Sequence, residues 1–415
     1  MSQIYDDAQK MIKEIIGDNM PRHAVEEALK KHSFKGNVHL VAIGKAAWTM
    51  AEAASDFLGE KLVQGIIVTK YEHAQGELPR IDICEAGHPV SDENTIAATQ
   101  KCIELAQSLT ADDELLFLVS GGGSALFEKP AEGVTLDDIK DVTNQLLASG
   151  ADIVEMNMVR KRFSSVKAGR FAKLAEPAHV FAIILSDVLG DRLDSIASGP
   201  AVPDHSTVED AAKVVEKYNL KLTDLQRKYL LEETPKEVCN VETVITGSVR
   251  TLCESAARVA KTLGYTPVVL TTTMNCEASE AGRLLAAIAA DTHAGRNSFK
   301  KPCAIIAGGE TVVTLKGKGK GGRNQEIALA GAKGIAGLED TLIFSLGSDG
   351  TDGPTNAAGG ITCGKTIGKM REKGLDTDKI LSDNNAYHGL QAIDGLIITG
   401  PTGTNVNDVT VILCK

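Results

Sequence analysis

The chain has 415 residues, room for two or three cores at roughly 100–200 residues per domain. Its 43% hydrophobic and 24% charged residues are ordinary for a globular protein, and no run of eighteen apolar residues predicts a membrane span. A net charge of -11 argues against nonspecific nucleic-acid binding, so any site for phosphate or carboxylate must be a local concentration of donors.

The opening segment MSQIYDDAQKMIKEII reads as an amphipathic helix and not as a signal peptide, because acidic residues interrupt it. Strands are then predicted at 38–43, 65–69, 115–119 and 180–185, and later at 243–246, 266–271, 303–307, 310–315, 341–346 and 408–413. Helical patterns occupy 92–108, 135–149, 248–263 and 275–293. Continuous apolar strands separated by helices predict a parallel sheet covered on both faces. The runs 303–307 and 310–315, joined by Gly308-Gly309, read as a candidate antiparallel pair, which would make one sheet mixed. Residues 204–240 are charged and helical without a strand. The expected domains are therefore 1–235 and 236–415, with the first 35 or so residues assignable to either.

The eight cysteines and nine histidines show neither Cys-x-x-Cys nor His-x-x-x-His spacing, which argues against a zinc site and for buried thiols in a reducing cytosol. Aromatic content of 4% disfavours base-stacking surfaces.

The chemical signal lies in loops that follow strands, where ligands of open α/β sheets bind. VAIGKAAW places Lys45 at a strand end before a helix, where anions bind; the alternative is a solvated lysine at a helix start. LFLVSGGGSALFEKP runs a buried strand into Ser120, Gly121, Gly122, Gly123 and Ser124, which offer backbone and hydroxyl donors to phosphate but no charge. LSDVLGDRLDSIASGP carries Asp187 and Asp191, candidates for magnesium or for a proton, or ordinary turn and cap residues. Gly317-x-Gly319-x-x-Gly322 matches a dinucleotide fingerprint by letter only, since it does not open a βαβ unit. A flexible basic glycine loop leading to Arg323, a bidentate clamp for phosphate or carboxylate, is the better reading. Asp349 and Asp352 lie in the glycine-rich loop after 341–346, and Asn405 and Asp408 close the segment TGPTGTNVND; turn chemistry is the alternative for both. No Gly-x-Ser-x-Gly elbow and no Ser–His–Asp pattern occurs. Phosphate donors, carboxylates and separate positive charges are the parts phosphoryl transfer needs, which suggests an ATP-dependent enzyme acting on a small anionic substrate.

Seven segments carry a resemblance: GKAAWTMAEA, GHPVSDENT, LVSGGGSALFEKP, SDVLGDRLDSIASGP, GGETVVTLKGKGKGGRNQE, SDGTDGPTNAAGG and GPTGTNVNDV. Together, and in this order, they resemble the glycerate 2-kinase family with its MOFRL C-terminal region. The resemblance implies two three-layer α/β/α domains, one with a Rossmann-like parallel sheet and one with a mixed sheet, and an active site in the cleft between them. It implies transfer of the ATP γ-phosphoryl group to the 2-hydroxyl of D-glycerate, with Mg2+ or another divalent cation. Lys45, Asp187 and Arg323 match catalytic positions. Asp187 is expected as base or substrate-orienting group, and Asp187 with Asp191 as metal candidates. Gly121, Gly122, Gly123, Ser124, Gly308, Gly309, Glu310 and Asn324 are expected at the nucleotide. Ser120, Asp191, Asp349, Asp352, Asn405 and Asp408 are expected at substrate or metal.

The chain departs from the family pattern at Arg162, Ala168, Leu189, Arg192 and Asn356, where relatives often have His, Gly, Pro, Asp and Asp. Arg192 next to Asp191 should lower that carboxylate's pKa if the two are close. A cytoplasmic protein without nucleic-acid or membrane partners is expected, with a homodimer left open. The rival readings are an NAD(P)H-dependent hydroxypyruvate reductase and a non-catalytic nucleotide or sugar-acid binding protein.

Overall fold

The structure, a computed structural model, describes every residue except 1, 2, 187, 189 and 191. The candidates Asp187 and Asp191 therefore lie outside the described residues, as does the departure at Leu189. The chain forms two compact units, residues 24–246 and residues 1–23 with 247–415.

The 24–246 unit is built on a sheet of β1 (Asn37–Ile43), β2 (Leu62–Lys70), β3 (Ile81–Ala86), β4 (Asp113–Val119), β5 (His179–Leu185) and β6 (Val241–Gly247), in the order β3-β2-β1-β4-β5-β6. The pairings from β3 through β5 are all parallel. Alternate residues face opposite ways along each strand. Val41, Leu115, Phe117, Val180 and Ala182 pack with Ala98, Cys102 and Ala106 of the helix Glu93–Ser108. Leu40, Ala42, Leu116, Leu118 and Ile183 pack on the other face with Trp48, Met50 and Ala51 of the helix Ala47–Leu58. Both faces being covered is why these strands are apolar throughout. A separate apolar cluster joins the helices Leu136–Ala148, Ile153–Arg160, Val208–Lys217 and Asp224–Leu230. Thr135, Asp152, Thr207 and Thr223 cap these helices through capping boxes. The chain leaves the unit at 246/247, beyond the boundary expected near 235, because β6 extends the first sheet as its edge strand.

The other unit holds β7 (Thr266–Met274), β8 (Cys303–Gly309), β9 (Thr341–Gly347), β10 (Gly359–Cys363), β11 (Leu396–Ile397) and β12 (Asp408–Cys414), in the order β11-β10-β9-β12-β8-β7. Only β7 and β8 pair in parallel; β8–β12, β12–β9, β9–β10 and β10–β11 are antiparallel. The sheet is mixed, but not through the expected hairpin. Residues 310–315 form no strand, only an isolated bridge between Val312 and Glu277. β8 already has β7 and β12 on its two edges, so no edge remains for a returning strand. The segment runs instead along 274–278, donating from Glu310 N to Met274 O (2.8 Å) and from Val312 N to Cys276 O (3.0 Å).

The helix Gln3–Asp18 belongs to this unit and buries Ile4, Ala8, Met11, Ile12 and Ile15. Its buried Asp7 accepts from Lys415 Nζ (2.8 Å) and Tyr265 OH (2.7 Å). These bonds outweigh burial and hold the Asp7 carboxyl below its ordinary range. Cys102, Cys253, Cys303 and Cys414 are buried thiols, whereas Cys239 and Cys276 are exposed. Among the described residues no helix is long and apolar enough to cross a membrane.

Candidate active site

In the first sheet the connections from β1 run outward to β2 and β3, and those from β4 run the other way to β5 and β6. The carboxyl ends of β1 and β4 thus flank a topological switch point, where open α/β sheets bind ligands. Gly44-Lys45 leaves β1 and Ser120–Ser124 leaves β4, and the two loops are tied together. Ser120 Oγ donates to Ile43 O (3.1 Å) and accepts from Ala46 N (3.1 Å), while Lys45 N donates to Gly121 O (2.9 Å). Gly44 has φ +109°, and a Cβ there would lie 2.4 Å from Ser120 O, so only glycine admits this contact. The Ser120 hydroxyl is almost fully buried and ties the two loops together.

Beyond Ser120 the glycines do bring groups close. A Cβ on Gly122 (φ +87°) would stand 3.1 Å from the His88 ring and 3.3 Å from Lys45 Cγ. Lys45 is exposed, and His73 Nδ1 lies 3.2 Å from its carbonyl oxygen. Burial, then the charges of Lys45, Lys70 and His73, push the His88 pKa below its ordinary value. Lys45 and Lys70 therefore place positive charge at the ends of β1 and β2, beside the chargeless glycine loop, with the rings of His73 and His88 close by. Only Lys45 of this group was singled out in the sequence. The other three become its neighbours through the strand order, and the segment GHPVSDENT was the one hint of His88.

The far end of the loop rests on a buried polar layer. Ser124 Oγ is 3.1 Å from Ser198 Oγ, which donates to Asn157 Oδ1 (3.4 Å). Lys167 Nζ donates to Ser124 O (2.6 Å) and stands 3.3 Å from Glu128, both side chains being buried. Burial lowers the Lys167 pKa, with Glu128 opposing. Ala197, Ser198 and Gly199 all have left-handed φ (49°, 60° and 67°). Ala168 N and Gly169 N hold this turn through Ser198 O (3.2 Å) and Gly199 O (2.7 Å). Ala168 itself has φ +57°, a left-handed conformation that favours glycine. Arg192 forks onto Asp194 (3.3 and 3.0 Å), and Arg162 is buried, donating to Glu232 O and to Ser206 O (3.2 Å).

In the other unit Arg323 opens the helix Arg323–Gly334. It grips Asp408 with Nε (2.5 Å) and Nη2 (3.2 Å), and Glu310 with Nη1 (3.0 Å). Burial raises the Asp408 pKa while Arg323 opposes it. Asp352 caps the same helix from a distant loop, accepting from Asn324 N (3.1 Å) and Gln325 N (2.9 Å). Burial nevertheless pushes its pKa up to about 6. Asp349 is half-buried and accepts from Thr351 N (2.9 Å); its Oδ1 and Asp408 Oδ1 would each lie 3.3 Å from a Cβ on Gly347. Asn405 is exposed in the preceding loop. Arg323, Glu310, Asp349, Asp352 and Asp408 thus gather at one end of the second sheet.

Other expected site residues have packing roles. Gly308 and Gly309 are buried in β8, where a Cβ would lie 2.4 Å from Cys253 Sγ and 2.1 Å from Met274 O respectively. Asn324 is buried, and its Oδ1 accepts from Ser345 Oγ (2.6 Å). The basic glycine loop is not loose either. Asn384 Oδ1 accepts from Lys316 N (2.7 Å) and Gly317 N (3.0 Å), Asp383 O from Gly319 N (2.8 Å), and Asn385 Oδ1 from Lys320 N (3.1 Å). A Cβ on Gly317 would meet Asp383 Cα at 2.3 Å, so its glycine serves close backbone contact.

A model described as a domain of unknown function, DUF4147, matches residues 7–231, and the MOFRL family model matches residues 303–408. The D-glycerate 2-kinase of Thermotoga maritima is 50% identical over 404 residues, 97% of either chain. The chain belongs to the glycerate 2-kinase family. A solved Thermotoga maritima glycerate kinase superposes on this family member with a TM-score of 0.96, at 50% identity and 99% coverage of both chains. The glycerate 2-kinase of Pyrococcus horikoshii is 44% identical over 92% of this chain and 88% of its own. A relative from Agrobacterium vitis that is 40% identical over 91% of this chain carries a hydroxypyruvate reductase name.

Proposed function

We propose that this chain is an ATP-dependent D-glycerate 2-kinase. The reading is carried by its end-to-end similarity to a relative named D-glycerate 2-kinase at 50% identity. In the reaction the bond from the γ-phosphorus to the ADP oxygen breaks, a bond to the C2 oxygen of glycerate forms, and the hydroxyl proton passes to a base. The products are 2-phosphoglycerate and ADP. Catalysis of this kind rests on positioning and charge, with little covalent work for the protein.

The residues support that division of labour. Lys45, backed by Lys70, supplies positive charge beside the Gly121–Ser124 loop, whose glycines let the Lys45 stem and the His88 ring lie close against it. Arg323 presents a guanidinium already oriented by Asp408 and Glu310. Asp187 is our candidate base, with Asp191 nearby in sequence. Mg2+ is commonly held by one or two carboxylates plus phosphate oxygens and water. Half-buried Asp349 fits such a role, and Asp187 and Asp191 are the other candidates. Bound there, the ion would neutralise phosphate charge.

The reductase reading is disfavoured by the loop geometry. The amides of Gly317 and Gly319 are already bonded, and the carboxylate of Asp352 occupies the helix N-terminus where a pyrophosphate would dock. Incubation with ATP, Mg2+ and D-glycerate, followed by phosphorus NMR, should show 2-phosphoglycerate and ADP in equal amounts. NADH oxidation by hydroxypyruvate without any glycerate-dependent ADP release would overturn the proposal.

A further inference from the structure

At the opposite end of the first sheet, by the amino ends of β1, β4 and β5, lies a cavity of about 750 Å³ with no place in the proposed chemistry. His32, Glu114 and His179 meet there. His32 Nε2 is 2.5 Å and His179 Nδ1 3.0 Å from the same oxygen, Glu114 Oε1. Among the described residues this is the one group of three His, Cys, Asp or Glu side chains whose ligand atoms all lie within 4.8 Å of one another. We propose that His32, Glu114 and His179 form a structural site for a divalent transition metal of the Zn2+ class.

The first argument is charge. Glu114 is buried, and its observed partners are two imidazoles and the Lys35 backbone N–H (3.4 Å). A buried carboxylate needs a countercharge. Imidazoles provide one only when protonated, whereas a divalent cation provides it outright. The second argument is preorganisation. The His32 ring stacks on Phe181 with centroids 3.9 Å apart and meets the edge of Phe34 at 4.7 Å, which fixes its orientation. Its other nitrogen, Nδ1, faces Glu242 Oε2 at 3.5 Å. That is the carboxylate–histidine–metal arrangement by which outer residues orient a ligand. The Lys35 N–H engages Glu114 Oε2 and so leaves Oε1 to the imidazoles.

The third argument is geometry. Zinc bonds of 2.0–2.2 Å in a tetrahedron put neighbouring ligand atoms about 3.4 Å apart. The present separations of 2.5 and 3.0 Å reach that spacing by side-chain shifts of less than about 1 Å, within an open cavity. Two imidazoles and one carboxylate leave a fourth position for water. Sequence spacing disfavoured such a site because its ligands come from the segment before β1, from β4 and from β5, more than sixty residues apart at each step.

The test is calorimetric titration of chelator-treated, full-length protein with ZnCl2 in the absence of nucleotide. One equivalent should bind and raise the melting temperature. Glu114→Gln and His179→Ala should each weaken binding at least tenfold while leaving the far-UV circular dichroism unchanged. Absence of stoichiometric binding, or equal binding by both variants, would overturn the site. Co2+ gives an independent reading on the unmodified chain. The expected spectrum has d–d bands alone, and a thiolate charge-transfer band would assign the metal to cysteine and reject the proposal.

Discussion

Arg323 and Lys45 carry the same sign of charge but stand in different surroundings, and their removal should separate accordingly. Lys45 is exposed, so Lys45→Ala should leave stability within roughly 0.5 kcal/mol of the parent. Turnover of glycerate should fall on the order of a hundredfold. Arg323→Ala should cost turnover similarly, but it also strands the buried Asp408, a loss of roughly 3–5 kcal/mol for an uncompensated charge. Adding Asp408→Asn should restore the urea midpoint without restoring turnover. Near-parental turnover in Lys45→Ala and in the double variant would remove both residues from the proposed machinery. Neither Lys70, His73 nor His88 has a local pattern that marks it. Asp352 was visible as a loop aspartate, but its capping of a helix nearly thirty residues earlier needed the tertiary contact.

Strands buried on both faces announced themselves as apolar runs, and β1, β4, β5, β8, β9 and β12 were found that way. β3 escaped because this edge strand, IDICEA, carries two acids and is only half-buried. β10 opens with two glycines, and β11 has only two residues. The run 310–315 has strand composition without a sheet edge to join, which composition cannot disclose. The glycine- and lysine-rich stretch 316–322 read as a flexible loop for a related reason. Its bonding partners, Asp383, Asn384 and Asn385, lie more than sixty residues on. Asn384→Gly tests that fastening, since glycine tolerates the left-handed φ of +52° while the side-chain acceptor is lost. The variant loses two bonds accepted from Lys316 N and Gly317 N and two donated to Thr314 O and Glu326 Oε1. At about 1 kcal/mol each, their loss should make trypsin cleavage after Lys316, Lys318 or Lys320 at least tenfold faster than in the parent. Unchanged digestion, followed by mass spectrometry, would mean the loop is held by other contacts.

The parallel sheet follows from the alternation of apolar runs and helices, whereas the antiparallel pairings of the second sheet and the allocation of residues 1–23 do not. Their helix has an apolar stripe that fits any core, and only the structure joins it to residues 247–415. Burial of Ile4, Met11, Ile12 and Ile15 at about 1.5–3 kcal/mol each rivals the whole stability of a typical domain. Deleting residues 1–23 should therefore abolish the calorimetric transition of that unit and leave that of residues 24–246 in place. Two unaltered transitions would show the helix to be dispensable.

The position of β12 has a consequence for biosynthesis. It lies between β8 and β9, inside its sheet, yet it is translated after every other strand there. The nascent sheet must wait with both neighbouring edges unpaired, and the helix Gln3–Asp18 waits longer still, through synthesis of the entire 24–246 unit. Residues 24–246 can fold as they leave the ribosome, whereas their sequence-split companion completes its centre only at the end. During that interval its exposed edges are open to intermolecular pairing.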